Sequence, residues 1–374
     1  MGTEQSNSSV AFADRLFLKL FRRVEEGINP ELAVSRFLTE KTRFSRFAPY
    51  AGSLEYRSQA FKTITLGILL EFVPSQGDAW HYTLNSLNTF FRQVREQPPE
   101  LVPPPPFSEN WEAPAGVEEL MGGYLSSARL LGQRTAELHQ ALSSDPSDPS
   151  FAPEPFSSFY LRSIYQSMRS LTREVLLSLS HSRYRLPPVV KARAEKVLGM
   201  ETEILRHFNP LLNLAPTARR IRCHGDYHLG QVLCGQDDFL IIDFEGEPAR
   251  SLSSRQLKRS ALRDVATMLR SFHYAVHLTL RRLTADLPAG DRDEKSRLEQ
   301  WGRFWQSWAA SAFLHSYCRA AQGSVFLPQS REEIEVLLHC FKLEKAIYEL
   351  GYEINNRPEW AEAPLEGILE LLEW

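Results

Sequence analysis

A single β-hairpin pattern interrupts a long helical stretch, and residues suited to chemistry stand on both sides of it. The hairpin reads as Gln231-Val-Leu-Cys234, a turn over Gly235 to Asp238, and Phe239-Leu-Ile-Ile242. Ahead of it stands His224-Gly-Asp-Tyr-His-Leu-Gly-Gln231, and behind it Asp243-Phe-Glu245. One Asp after a Gly usually marks a turn. A polar cluster leading into a hairpin that ends on two carboxylates rarely arises from packing needs alone.

The rest of the chain divides around this feature. Ser8 to Phe21 reads as a hairpin that turns at Ala13-Asp14, with an apolar second strand over residues 15–21. Asn29 is placed to cap a helix that has Pro30 at its first position and Leu32, Val34, Phe37 and Leu38 on its apolar face. Residues 63–73 form a mostly apolar strand run that stops at Pro74. From Ala79 the pattern is mainly helical, with a strong helix over Leu130 to Leu142 and further helices from Arg259 to Trp374. Pro98 to Phe107 and Ser143 to Phe156 are expected as exposed loops. The order implies an α+β chain: a small β-rich lobe over 1–74 and a large helical lobe over 75–374. A cleft between two lobes suits a nucleotide.

Composition narrows the function classes. The 374 residues carry a net charge of −3, which gives no general pull toward nucleic acid or anionic membrane. The short basic cluster Arg219-Arg220-Ile221-Arg222 is expected on a solvated face. The four cysteines form no CxxC pair, so zinc is not expected and reduced thiols are. No apolar stretch approaches a bilayer's thickness, and the polar N-terminus has no signal core, so a cytoplasmic protein is expected.

The residue types around the hairpin suit phosphoryl transfer. That reaction needs a carboxylate to orient and deprotonate the attacking hydroxyl, together with oxygen ligands for a metal that bridges the phosphates. Asp226 suits the base. Gln231 offers an amide oxygen to a hard cation, Asp243 ends an apolar strand within reach of the same ion, and Glu245 would assist.

These residues resemble the Brenner-type motif of the aminoglycoside-phosphotransferase family, whose usual Asn is Gln231 here. The longer string resembles the maltokinase branch, including kinase parts fused to some trehalose synthases. It runs through residues 4–9, 17–23, 76–80, 131–139, 223–231, 263–266 and 344–358. The resemblance implies a bilobal protein-kinase-like fold that uses ATP and Mg²⁺. It implies that Lys19 contacts the phosphates, and that Ser6, Asn7 and Ser8 belong to the phosphate-covering loop. Glu31 is the nearest partner for Lys19, with Glu40 as the alternative, and the hinge at the adenine would run from Glu71 to Val73. Lys345, Tyr348, Tyr352 and Asn355 share a helix face at spacing i, i+3, i+7, i+10, which the resemblance reads, with His228, as a sugar site. His224 and His228 are expected to hold the loop by hydrogen bonds, and Arg263-Asp264 to be a structural pair. Maltokinases carry an extra N-terminal cap domain, whereas this chain begins almost on the phosphate-loop segment; the cap, and at the limit the first strand, are expected to be missing.

The reading that follows is a kinase that phosphorylates maltose at its anomeric hydroxyl, giving maltose 1-phosphate for α-glucan synthesis. A kinase for an amino sugar or an aminoglycoside is the first alternative, and a non-catalytic partner of a trehalose synthase the second.

Overall fold

The computed structural model describes residues 7–57, 63–96, 103–104, 111–285, 287 and 291–373. The first part is an antiparallel sheet of β1 (Asn7–Phe12), β2 (Leu16–Phe21), β3 (Tyr50–Arg57) and β4 (Thr63–Glu71), ordered β1-β2-β4-β3, with helix α1 (Pro30–Lys41) between β2 and β3. Successive strand residues face opposite ways. Lys19 lies opposite Ile68, on the face where Phe21, Ile68 and Leu70 pack with Leu32 of α1. That alternation is why a lysine enters an apolar face. The Asn29 side chain accepts from the Glu31 N–H at 2.8 Å, which caps α1 as the sequence implies.

The second part is mainly helical. It begins with α2 (Ala79–Glu96), α3 (Ala115–Leu120), α4 (Tyr124–Leu142), a short strand β5 (Glu154–Pro155), α5 (Ser158–Ser182), α6 (Pro188–Leu198), α7 (Glu201–Phe208) and α8 (Pro210–Asn213). β6 (Arg219–Arg220), the hairpin β7 (Val232–Cys234) and β8 (Phe239–Ile241), and α9 (Leu252–Arg255) come next. The chain closes with α10 (Leu262–Ala285), α11 (Arg292–Ala320), α12 (Arg331–Asn356) and α13 (Glu362–Leu372). α4 packs on α11, and α12 packs on α10, α5 and α13. Trp305, Trp308, Phe313 and Tyr317 of α11 are fully buried.

The hairpin β7–β8 joins the two parts. Ile241 N–H donates to Arg46 O at 2.8 Å, while Cys234 N–H donates to Gly77 O and Gln76 N–H to Cys234 O, both at 2.8 Å. The strand that ends at Asp243 is thereby fixed to the segment after α1 and to the segment leaving β4.

The structure corrects several expectations. β3 was not anticipated from its sequence; Tyr50 to Arg57 alternates weakly and gains its order by pairing with β4. Ser143 to Phe156 is not merely an exposed loop: Phe151 is buried and stacks on Phe37 of α1 at 3.6 Å between centroids. The basic cluster is a solvated face only at Arg219. Arg222 is buried and donates to Gln256 O at 2.5 Å, and Arg220 lies over the Tyr160 ring at 4.0 Å. Of the expected loop at Pro98 to Phe107, only Pro103 and Pro104 lie within the described residues.

Gly132 sets the approach of α4 to α11. A Cβ there would lie 2.2 Å from the Phe313 carbonyl oxygen, a backbone atom that cannot swing aside. Gly132→Ala should therefore destabilise the protein by about 1–3 kcal/mol, as overpacking does. Chemical denaturation should show an earlier midpoint with an unchanged slope.

Candidate functional site

Lys19 is the centre of a buried charge cluster. Its Nζ lies 2.7 Å from Glu31 Oε2, 2.5 Å from Asp243 Oδ1 and 2.6 Å from Glu245 Oε1. Asn7 Nδ2 also donates to Glu245 Oε1. The Glu31, Asp243 and Glu245 oxygens lie within 4.8 Å of one another. Glu40, the alternative partner for Lys19, instead pairs with Arg36 on the exposed side of α1 at 3.1 Å.

Burial opposes charge on Lys19, but the three surrounding carboxylates hold its pKa well above the usual lysine range. Burial pushes the Glu31 carboxyl up, with Lys19 pulling the other way. Asp243 is held below the ordinary carboxylate range by Lys19 despite its burial, and the Gln231 side chain adds a hydrogen bond. Three carboxylates around one ammonium leave negative charge uncompensated in a buried place. An all-oxygen donor set with that charge fits a hard divalent cation such as Mg²⁺. Asp243 also has φ of 67°, a left-handed conformation that a non-glycine residue rarely keeps without surrounding structure to enforce it.

The Asp226 loop is held from below by Asp264, at the start of α10. Asp264 Oδ2 accepts the His224 N–H at 2.8 Å and its Oδ1 the Gly225 N–H at 3.0 Å. His139 Nε2 lies 3.1 Å from Asp264 Oδ2, and Tyr317 OH lies 3.0 Å from His139 Nδ1. A carboxylate only accepts, so His139 donates from Nε2 to Asp264, while its Nδ1 meets the tyrosine hydroxyl. Burial raises the Asp264 carboxyl, but His139 and the backbone donors more than offset it and hold the pKa low. The same logic fixes His224: its Nε2 lies 2.9 Å from Ile242 O, so it donates to the hairpin strand and ties the loop to β8. His228 Nδ1 accepts the Gly230 N–H at 3.1 Å, and its Nε2 stands 3.8 Å from Asp226 Oδ2. Burial keeps the His228 ring below the usual imidazole pKa.

The remaining sequence candidates separate. Lys345 reaches Asp226, with Nζ to Oδ1 at 3.5 Å, and lies over the Tyr348 ring at 4.9 Å. Tyr352 and Asn355 are exposed; Tyr352 meets Arg357, and Asn355 donates to Gly351 O on its own helix at 2.7 Å. They do not line the pocket that Lys345 and Tyr348 line. Glu71 is exposed and its N–H is used by Pro49 O at 2.8 Å, while Val73 packs on the small sheet core. Ser8 is exposed and accepts from Arg22 at 3.2 Å, and Ser6 lies outside the described residues. Arg263 and Asp264 are not a pair: Arg263 meets Glu344 at 2.8 Å, while Asp264 serves the loop. Sequence reasoning missed the Asp264–His139–Tyr317 chain, because its members are far apart in sequence and carry no shared motif.

No family model matches the chain. The glucosamine kinase of Streptacidiphilus jiangxiensis is 25% identical over 259 residues, covering 68% of this chain and 51% of that protein. This chain therefore spans about half the length of that relative. The glucosamine kinase of Mycolicibacterium smegmatis is 23% identical over 372 residues, covering 99% of this chain and 78% of that protein. A solved glucosamine kinase structure (crystal form B) matches with a TM-score of 0.72 at 20% identity, covering 98% of this chain and 76% of that one. A glucosamine kinase in complex with glucosamine, ADP and inorganic phosphate matches with a TM-score of 0.69 at 19% identity, covering 97% of this chain and 74% of that one. The likeness shows the fold: a bilobal α+β chain of the kinase-like type, with a small sheet lobe and a mainly helical lobe.

Asp264→Ala should leave the His224 and Gly225 N–H groups buried without acceptors. Each such group costs about 1–3 kcal/mol, so unfolding free energy should fall by a few kcal/mol. Because its carboxyl is depressed in the folded state, the Asp264 contribution should be full above about pH 4 and should fade as pH drops below it. Acid titration of the Asp264→Asn protein should show less loss of stability in that range than the unaltered protein.

Proposed function

We propose that the chain is an ATP-dependent sugar kinase that uses Mg²⁺. The observation that carries this reading is the placement of Lys19, Glu31, Asp243 and Glu245 in one buried cluster beside the separately anchored Asp226 loop. Phosphoryl transfer needs positioning and charge stabilisation rather than a covalent intermediate, and these residues supply both.

Lys19 would hold the α- and β-phosphates, with Asn7 at the start of the phosphate-covering segment and the 71–73 segment at the adenine. Asp243, Gln231 and Glu245 would hold Mg²⁺, which neutralises phosphate charge when bound. Glu31 keeps Lys19 in place. Asp226 accepts the proton of the acceptor hydroxyl as its oxygen bonds to the γ-phosphorus and ADP leaves. Asp264 keeps Asp226 in place through the loop backbone, and the protonated Nε2 of His224 locks that loop to β8.

The sequence resemblance supports maltose as the acceptor, phosphorylated at the anomeric hydroxyl. On that reading a trehalose synthase is the expected partner, and the role lies in α-glucan metabolism. The relatives named glucosamine kinases support a second reading, an amino sugar at the same site.

ATP consumption should depend on Mg²⁺ and on one sugar from a panel of maltose, glucose, trehalose and glucosamine. Asp226→Asn should lower kcat by about 10²–10⁴-fold, the usual contribution of a positioned base. Full turnover by the Asp226→Asn protein would reject Asp226 as the base.

A further inference from the structure

The pocket next to Asp226 lies between the segment after β8 and the helices α10 and α12. Its walls carry Arg250, Arg255, Arg259, Arg263 and Lys345, five cationic side chains against the three carboxylates Glu247, Asp264 and Glu344. Several of these charges are already matched. Arg250 Nε meets Glu247 Oε2 at 2.5 Å, Arg263 meets Glu344 at 2.8 Å, and Asp264 is taken by the loop backbone and His139.

Two buried atoms in these walls have no hydrogen-bond partner among the described residues: Glu247 Oε1, an acceptor, and Arg255 Nε, a donor. Glu247 is 9% exposed, and the Arg255 side chain 7%. A buried polar atom left unpaired is costly. One missing donor and one missing acceptor in the same pocket are what a hydroxyl-bearing ligand supplies.

Two carboxylates that could hold a substrate ammonium are occupied: Glu349 is bound by Arg270 at 2.7 Å and Glu353 by Arg357 at 2.8 Å. Glu247 gives one oxygen to Arg250 and keeps Oε1 without a donor, but an ammonium there would leave Arg255 Nε without an acceptor, whereas a hydroxyl both donates and accepts. At Asp226 itself, the Lys345 ammonium already stands 3.5 Å from Oδ1, with Tyr348 beneath it. A second cation brought there would meet like charge in a partly desolvated place, and such juxtaposition discriminates strongly.

We propose that the acceptor seats in this pocket, and that Lys345 sets its class to uncharged sugars by occupying the place an acceptor amino group would take. This rests on the sugar-kinase reading and decides between its two acceptors. Standing 3.5 Å from Asp226 Oδ1, the same ammonium would also donate to the hydroxyl that is to lose its proton.

The test compares glucose with glucosamine, which differ by a hydroxyl against an ammonium at one carbon, and adds maltose. kcat/KM would be measured for the unaltered protein, Lys345→Met and Lys345→Arg. The unaltered protein should prefer a neutral sugar over glucosamine by at least about tenfold, since like-charge contact costs more than the 1.4 kcal/mol that tenfold represents. Lys345→Met should shrink that ratio, and Lys345→Arg should keep it. Glucosamine as the best substrate of the unaltered protein, or a ratio unmoved in Lys345→Met, overturns the proposal. Absence of turnover with every sugar would reject the sugar-kinase reading. The pocket is then judged by the thermal shift that the same sugars give in the same three proteins. Stabilisation by glucose or maltose, weaker with glucosamine and levelled in Lys345→Met, supports the pocket assignment. Equal stabilisation, or none, overturns it.

Discussion

The Lys19 ammonium links parts of the chain that lie far apart in sequence. It comes from the inner face of β2, Glu31 from the first turn of α1, and Asp243 and Glu245 from the end of the β7–β8 hairpin more than two hundred residues later. A lysine on an apolar face is tolerable only if its charge is met. The reverse also holds, since carboxylates crowded in that place repel one another and the ammonium offsets that repulsion. The cluster thus fixes the sheet, the helix and the hairpin relative to one another. The backbone bonds from Arg46 and Gly77 to the hairpin supply the stiffness that keeps it there.

A second set of interactions holds the Asp226 loop. Asp264 belongs to α10, and behind it stand His139 of α4 and Tyr317 of α11. The loop is therefore registered to the helical core rather than to the sheet. Two supports of different origin meet at the site, one carrying the charge cluster and the other the carboxylate, and the His224 bond to Ile242 O joins them. Such an arrangement fixes both sides in one geometry, which is how a reaction that depends on positioning is served.

Local pattern made part of this legible. Lys19 between Leu18 and Leu20 reads as a strand residue on the opposite face, and the hairpin ending at Asp243 reads directly from its apolar runs and its turn. Glu31 and Glu40 could not be separated, because both lie on α1 and only the packing of that helix decides which carboxylate meets the sheet. Tyr352 and Asn355 share a helix stripe with Lys345 and Tyr348, but the later turns of α12 carry them out to solvent. Periodicity names a face without saying how far a neighbour follows it. β3 was hidden by its polar residues, and Phe151 by the Pro, Ser and Asp around it. Asp264 reads from the sequence as a structural pair with its neighbour Arg263; only the tertiary structure brings it to the loop.

If the charge cluster is the site, it binds metal and phosphate together. Calorimetric titration of the full chain with ATP, with Mg²⁺ and then with EDTA in its place, tests that directly. Binding should be saturable with Mg²⁺ and strongly weakened by EDTA and by Asp243→Asn. Binding that ignores both the metal and Asp243, or no binding of ATP with Mg²⁺ present, would contradict that role of the cluster.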